Sequence, residues 1–417
     1  MKKRLPLLLL LFSPFFIFAQ MKVVAYLPTW ANFPNSINSV QLSKITHINV
    51  AFANPNNSGT IILSDSRTTG HLATVVNASH NQNVKVFLSI GGAGAPGTIY
   101  QTLLSNNTNM NNFVSNLVNY CINNSLDGID VDIEGDVLNG TYVTKTQYEN
   151  FVTALATALH AQNLEMTAAL ATWFATYVSN TAASKFDWIN IMSYDAYGPW
   201  SGAGEHSTYN LAVSDFTYWK NTKGVPGNKL VIGVPFYGYG WGTYSTSNEL
   251  SYATIVSTYS GAETKDKIGS GSNMISYNGI PTIQQKTIYA CANAAGIMIW
   301  QITEDATGAK SLLSTIYDQI TACSVGIEEN IKNTQPINVY PNPANDVLHL
   351  SIYLYESAQT KIAIYDALGK EISVLNNATL AEGNHQFNFN SNDLPTGIYY
   401  VKTSYSTYSE STKFIKQ

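Results

Sequence analysis

Apolar runs of strand length recur along the chain, and stretches of helical period separate them. The runs fall at 23–27, 45–52, 84–90, around Val131, around Met166, and at 188–194, 230–235 and 296–300. Between them, Met110, Phe113, Leu117 and Cys121 recur at intervals of three and four within 108–124, as do Tyr148, Phe151, Val152, Leu155 and Leu159 within 146–160. Both segments are therefore predicted to be amphipathic helices. Eight strand runs with helices between them predict a (β/α)8 TIM barrel over 20–323. A doubly wound open sheet is the alternative, but no GxGxxG follows the first run and eight strands favour closure.

Beyond 323 the pattern changes. Residues 324–336 are polar and read as a linker. Short alternating runs follow at 338–340, 347–353, 361–365, 385–389 and 398–402, separated by turn signals such as Pro341-Asn342-Pro343, Leu368-Gly369-Lys370 and Leu394-Pro395-Thr396-Gly397. They predict a small antiparallel β-sandwich over 337–417.

Charge and cysteine narrow the function classes. With 12% charged residues, a net charge of −5 and a pI near 5.8, the chain lacks the clustered Lys and Arg that nucleic acid requires. At the N-terminus, Met1-Lys2-Lys3-Arg4 precedes an apolar run over 5–19, which reads as an export signal cut after Ala19 and is too short to span a bilayer. A mature protein with no membrane span is expected. Cys121, Cys291 and Cys323 allow at most one internal disulfide, and no His or Cys spacing suggests a structural metal or a cofactor.

The chemistry concentrates in 127–134, Asp-Gly-Ile-Asp-Val-Asp-Ile-Glu. Asp130, Asp132 and Glu134 alternate with apolar residues, so a strand puts the three carboxylates in file on one face, while Asp127 is out of phase. No Lys or Arg lies between 110 and 144 to neutralise them locally. Like charges at this spacing raise one another's pKa, so at least one carboxyl should hold its proton near neutral pH and serve as a general acid. A calcium loop would need turn-formers where β-branched residues stand; an octahedral Mg²⁺ site stays open on spacing alone. In a barrel the chemistry sits at the C-terminal strand ends, which places Glu134 highest, with Asp132 and Asp130 progressively deeper.

Residues 127–134 resemble the DxxDxDxE signature of the family 18 glycoside hydrolases, the chitinase family. Ser89-Ile90-Gly91-Gly92 resembles the family's SxGG, and Met192-Ser193-Tyr194-Asp195 its MxYD. The resemblance implies that Glu134 is the acid/base, that Asp132 orients the substrate's N-acetyl group as nucleophile, and that Asp130 lies beneath, hydrogen-bonded by Ser89 and Tyr26. It further implies that Tyr194 hydrogen-bonds the reacting acetamide, that Met192 and Asp195 help to hold the sugar, and that Trp300 floors the subsite where the bond breaks. The substrate would be chitin or chito-oligosaccharides, with an endo-β-N-acetylglucosaminidase on N-glycans or a non-catalytic lectin as alternatives. Ile133 departs from the aromatic residue that chitinases usually carry before the Glu.

Trp30, Trp173, Phe174, Trp200, Tyr237, Tyr239 and Trp241 follow the strand ends and could ring a polysaccharide cleft. The segment 241–282 looks too short for the full α+β lobe of many chitinases, which implies a shallower cleft. The last 80 residues, with Val339-Tyr340-Pro341-Asn342-Pro343-Ala344 and Lys413-Phe414-Ile415-Lys416, resemble the sorting domain of type IX secretion in Bacteroidetes. That implies the type IX machinery as partner and delivery through the periplasm to the cell surface or beyond.

Overall fold

The computed structural model describes residues 21–64, 71–245, 249–324, 338–354, 357–367, 369–405 and 408–417; the expected export signal and most of the expected linker lie outside these residues. The chain divides into two compact units, Met1–Gly326 and Ile327–Gln417.

The first unit opens with β1 (Lys22–Pro28), β2 (His47–Pro55), β3 (Ile61–Leu63), α1 (Leu72–His80), β4 (Lys85–Gly91), α2 (Gly97–Leu103), α3 (Asn107–Asn123) and β5 (Gly128–Asp132). It continues through α4 (Lys145–His160), β6 (Glu165–Leu170), α5 (Asn180–Lys185), β7 (Trp188–Ile191), α6 (Tyr209–Thr217) and β8 (Leu230–Pro235). After β9 (Tyr237–Gly240), β10 (Leu250–Ser251), α7 (Tyr252–Thr258), β11 (Lys267–Ser270) and β12 (Asn273–Ser276), it ends with α8 (Ile280–Asn293), β13 (Gly296–Trp300) and α9 (Leu312–Ser324).

Strands β1, β2, β4, β5, β6, β7, β8 and β13 pair side by side in parallel, and β1 pairs with both β2 and β13, so the sheet closes into the expected barrel. The helices cover its outside. Their starts follow from local chemistry: the Asn106 side chain caps α3, and Thr144 with Gln147 forms a reciprocal capping box on α4. The buried faces of α3 and α4 hold the residues that the helical period selected, Phe113 and Leu117 on one, Phe151 and Leu155 on the other. Inside the barrel, Val24, Tyr26, Phe87, Trp188, Val231 and Met298 pack into a separate cluster.

Two strands differ from expectation. The sixth barrel strand stops at Ile191 and not at Tyr194, because the chain leaves extended geometry and reaches φ 63° at Asp195. The fourth stops at Asp132, so Glu134 stands in the turn above it. The stretch after β8 is more than a loop: β10, β9, β12 and β11 form a four-stranded antiparallel sheet, with α7 beside it.

Asp127, the acid out of phase, acts at the other end of the barrel. Its Oδ2 accepts the Val86 amide at 2.7 Å and meets His80 Nε2 at 2.8 Å, while its own amide donates to Val86 O. Asp187 repeats the device one pair of strands later: its Oδ2 accepts the Met166 amide at 2.7 Å and meets His160 Nε2 at 3.0 Å. In each case a helix-terminal His and an Asp before a strand bind that helix to the neighbouring strand.

The second unit comprises β14 (Asn338–Tyr340), β15 (Val347–Leu354), β16 (Ala358–Asp366), β17 (Glu371–Leu380), β18 (Gly383–Asn390), β19 (Gly397–Tyr405) and β20 (Tyr408–Lys416). These form sheets of order β14-β15-β18 and β17-β16-β19-β20 around Leu348, Leu350, Ile362, Ile364, Val401 and Phe414, the small antiparallel β domain expected. The outer edge of β20 is covered by 342–344: Asn342 bonds Lys413 O and the Ile415 amide through its side chain, and the Ala344 amide donates to Ile415 O.

Asp127→Ala is expected to lower the unfolding free energy by about 1–3 kcal/mol, the usual result of leaving a buried residue's amide, here that of Val86, without its acceptor. Urea denaturation of the variant against the parent measures it; an unchanged midpoint would contradict the role given to Asp127.

Candidate active site

The site is built on β5. Asp130 is fully buried, and its carboxylate receives four donors from four other strands. Tyr26 Oη on β1 and Ser89 Oγ on β4 donate to Oδ2 at 2.6 and 2.8 Å; Thr167 Oγ1 on β6 and Asn190 Nδ2 on β7 donate to Oδ1 at 2.6 and 3.3 Å. Burial still raises its pKa above the ordinary Asp value, against the downward pull of all four donors.

Asp132 is 2% exposed, and its Oδ1 has no hydrogen-bond partner among the described residues. Burial, then the charges of Glu134 and Asp130, push its pKa well up. Glu134 is pushed up to about 7, by burial first and then by Asp195 and Asp136. At neutral pH this column therefore holds protons that ordinary carboxyls would have lost.

Two glycines allow the column to form. At Gly91, φ is 116° and a Cβ would lie 2.1 Å from Asp132 O; at Gly92 a Cβ would lie 2.5 Å from the Phe52 ring. The Gly92 amide donates to Asp132 O at 2.7 Å. The end of β4 can thus lie directly against the backbone that carries the acids.

Around the column stand the other expected residues. Tyr194 donates to Met298 Sδ at 3.9 Å and meets Tyr237 edge-on at 6.1 Å. Burial and the nearby acids push its pKa well up, so it remains a hydroxyl donor. Asp195 Oδ1 accepts Tyr237 Oη at 2.5 Å. Met192 is partly buried against the barrel interior. Trp300 stacks on Phe52 at 5.5 Å and tilts against Tyr26 at 5.3 Å, which fixes its plane beside the acids.

Of the aromatic residues after the strand ends, Phe174, Tyr237 and Tyr239 are buried, with the Tyr237 hydroxyl turned to Asp195. Trp30, Trp173 and Trp200 are 52%, 71% and 64% exposed and offer open faces. Trp173 lies over Gly135, where a Cβ would be 2.0 Å from its ring. Among the described residues no group of three His, Cys, Asp or Glu is arranged to hold a metal ion.

A closed (β/α)8 barrel that carries three acids in file and a tryptophan at the C-terminal ends of its strands has the layout of a barrel enzyme. The chain belongs to the glycosyl hydrolases family 18, whose family model matches residues 22–305, and it is a glycoside hydrolase. The family 18 chitinase ChiB from the chitin utilization locus of Flavobacterium johnsoniae is 34% identical, with a TM-score of 0.65 over 73% of this chain and 94% of that one. A chitinase from Bacteroides thetaiotaomicron is 26% identical, with a TM-score of 0.64 over 75% and 98%. A class V chitinase of Arabidopsis thaliana is 25% identical over 70% of this chain and 89% of that protein. Residues 338–417 match the secretion system C-terminal sorting domain, so the second unit is a sorting module.

Thr167 and Asn190 were missed by the sequence reading, although each is a polar residue inside an otherwise apolar strand, and Thr167 stands in register with Asp130. His206 and Tyr237, which meet Asp195, were not legible as its partners because the His206 loop carries no period and Tyr237 opens a short strand outside the barrel, β9, whose pairing residue order does not show.

The raised pKa of Glu134 has a stability consequence. The folded state binds this proton more tightly than the unfolded chain, so the group favours folding below about 4.5 and that contribution is lost as pH rises towards 7. Glu134→Gln cannot lose it. Its melting temperature relative to the parent is expected to rise steadily between pH 4.5 and 7.5, as followed by calorimetry; a pH-independent difference would contradict the assignment.

Proposed function

We propose that this hydrolase cleaves β-1,4-linked N-acetylglucosamine polymers with retention of configuration, using the substrate's own acetamide as nucleophile. The observation that carries the reading is the Glu134 carboxyl, pushed up to about 7, above the buried Asp132, whose Oδ1 has no hydrogen-bond partner among the described residues and is available to an acetamide N–H. Ordinary retaining glycosidases set a second carboxylate about 5 Å across the sugar, whereas substrate-assisted ones need only an acid and a group that steers the acetamide.

In this mechanism Glu134 gives its proton to the glycosidic oxygen as the C–O bond breaks. The acetamide carbonyl oxygen attacks C1, forming a cyclic oxazolinium ion. Asp132 accepts the acetamide N–H and opposes the positive charge that develops there; its unpartnered, buried Oδ1 suits that task. Asp130, held by Tyr26, Ser89, Thr167 and Asn190, shares a proton with Asp132 below. Tyr194 donates to the acetamide oxygen, and Asp195 and Met192 help to hold the sugar over Trp300. Glu134, now a carboxylate, takes a proton from water, which attacks C1 and restores the acetamide. Two inversions at C1 leave the configuration unchanged.

The exposed faces of Trp30, Trp173 and Trp200 extend this reading to an oligomeric substrate, because the apolar C–H faces of sugars pack on aromatic rings. The sorting module supports export through the type IX system, across the periplasm to the cell surface or beyond, where an insoluble polymer would be met. The barrel unit and the sorting unit would then be separate working parts joined near residues 324–336.

The full chain is expected to release chromophore from a chitotriose glycoside, with Glu134→Gln reducing kcat by roughly 10²–10⁴-fold, the usual worth of a general acid. Release only from an N-glycopeptide would make it an endo-β-N-acetylglucosaminidase, and chitin binding with no release from either would make it a lectin. The basic limb of kcat/KM is expected near pH 7, since the acid form of Glu134 is the active one. Removing the neighbouring charge with Asp195→Asn should move that limb to lower pH, as a pH–rate profile would show.

A further inference from the structure

The loop between β7 and α6 leaves Ser193 and returns at Ser207, and its neck is closed by two rungs. The Ala196 amide donates to His206 O at 3.1 Å, and Ser207 Oγ donates to Ser193 O at 2.7 Å. Two other elements anchor the returning strand of the neck: the His206 amide donates to Ser276 Oγ at 3.0 Å, and Lys286 Nζ on α8 donates to both Ser207 O and Ser207 Oγ, and to Asn278 Oδ1. The backbone on both sides of His206 is thus fixed from β12 and α8.

Across this neck, His206 faces Asp195. The imidazole is wholly buried, packed against Tyr237 at 5.2 Å and Tyr239 at 5.3 Å between ring centroids. Its Nδ1 lies 3.6 Å from Asp195 Oδ1, the same oxygen that accepts Tyr237 Oη. The Asp195 side chain is 39% exposed, so it has a protein side, where these donors stand, and an open side. Neither ring nitrogen of His206 makes a hydrogen bond of ordinary geometry among the described residues, and besides Asp195 the Tyr237 backbone carbonyl lies close enough to attract a ring proton. A buried imidazole N–H with no acceptor is unfavourable, and of these two acceptors the Asp195 carboxylate is the charged one, within reach of Nδ1 after a small rotation. Burial also lowers the imidazole's pKa, so the ring is a neutral donor at neutral pH.

We propose that His206 is a positioning residue for substrate binding: its Nδ1–H and the Tyr237 hydroxyl together hold the Asp195 carboxylate from behind and fix the direction in which it meets the sugar. The inference rests on the sugar-holding role given to Asp195 above. The backbone at Asp195, at φ 63°, sets where its side chain leaves the chain, and the two donors set where the carboxylate points. His206 does not touch substrate; it acts through Asp195.

Two substitutions separate this role from simple packing. His206→Phe keeps a ring between Tyr237 and Tyr239 but removes the donor, whereas His206→Asn removes the ring and keeps an N–H near Nδ1. The expected result with a chitotriose glycoside is a KM raised roughly tenfold in His206→Phe with kcat little changed, the signature of a lost binding contact, and a KM near the parent's in His206→Asn. In an Asp195→Asn background, His206→Phe should add nothing further. Normal kinetics in His206→Phe alongside impaired His206→Asn would overturn the proposal in favour of packing, as would additive effects of Asp195→Asn and His206→Phe. If Asp195→Asn alone leaves kcat and KM unchanged, the role of Asp195 fails and the proposal with it. Nitrogen-15 NMR of the unsubstituted protein gives an independent check that needs no variant to fold: His206 is expected as the neutral tautomer protonated at Nδ1, and protonation at Nε2 alone would overturn the proposal whatever Asp195 does.

Discussion

Three carboxyl groups stand in file at this barrel with no cation set against them among the described residues, and the architecture is arranged around that constraint. A bare charge at the depth of Asp130 would be untenable in an apolar interior. Neutral dipoles meet the need: two hydroxyls on Oδ2, and a hydroxyl and an amide on Oδ1, each from a different strand. Neutral donors stabilise charge without fixing a counter-charge, so they leave the acids above still repelling one another. A lysine in their place would have stabilised Asp130 and, by the same field, lowered the pKa of Glu134.

Most of this was legible from residue order. The alternation in 127–134 placed three acids on one strand face, and the chain's apolar runs matched all eight barrel strands. Asp127 was legible only as an acid out of phase with the other three; that it fastens α1 to β4 at the opposite end of the barrel depends on which strands become neighbours. Thr167 and Asn190 were readable only as polar interruptions of core strands; their purpose appears once closure brings them beside Asp130.

The loops were less legible, for a physical reason. Strand and helix leave a period in the sequence because one face is buried; a loop held by single hydrogen bonds leaves none. The 193–207 neck is of this kind, and so are the short strands β10 to β12. In the second unit β17 escaped notice because it is an edge strand with Asn376 and Asn377 at its centre and little apolar alternation. The aromatic residues after the strand ends divide by burial alone: Tyr237 and Tyr239 are interior, Trp173 and Trp200 are not, and nothing in their sequence neighbourhood separates them.

The cover that Asn342 and Ala344 place on the β20 edge limits how the sorting unit can be read. An exposed edge strand invites another chain to extend the sheet by backbone pairing. Here the outward amides and carbonyls from Lys413 to Gln417 are already engaged by the unit's own first turn. A receptor therefore cannot recognise this end of the sheet by adding a strand to it unless that turn is first displaced. Recognition that leaves the fold intact falls to side chains or to the sheet edges this turn does not cover, β17 among them.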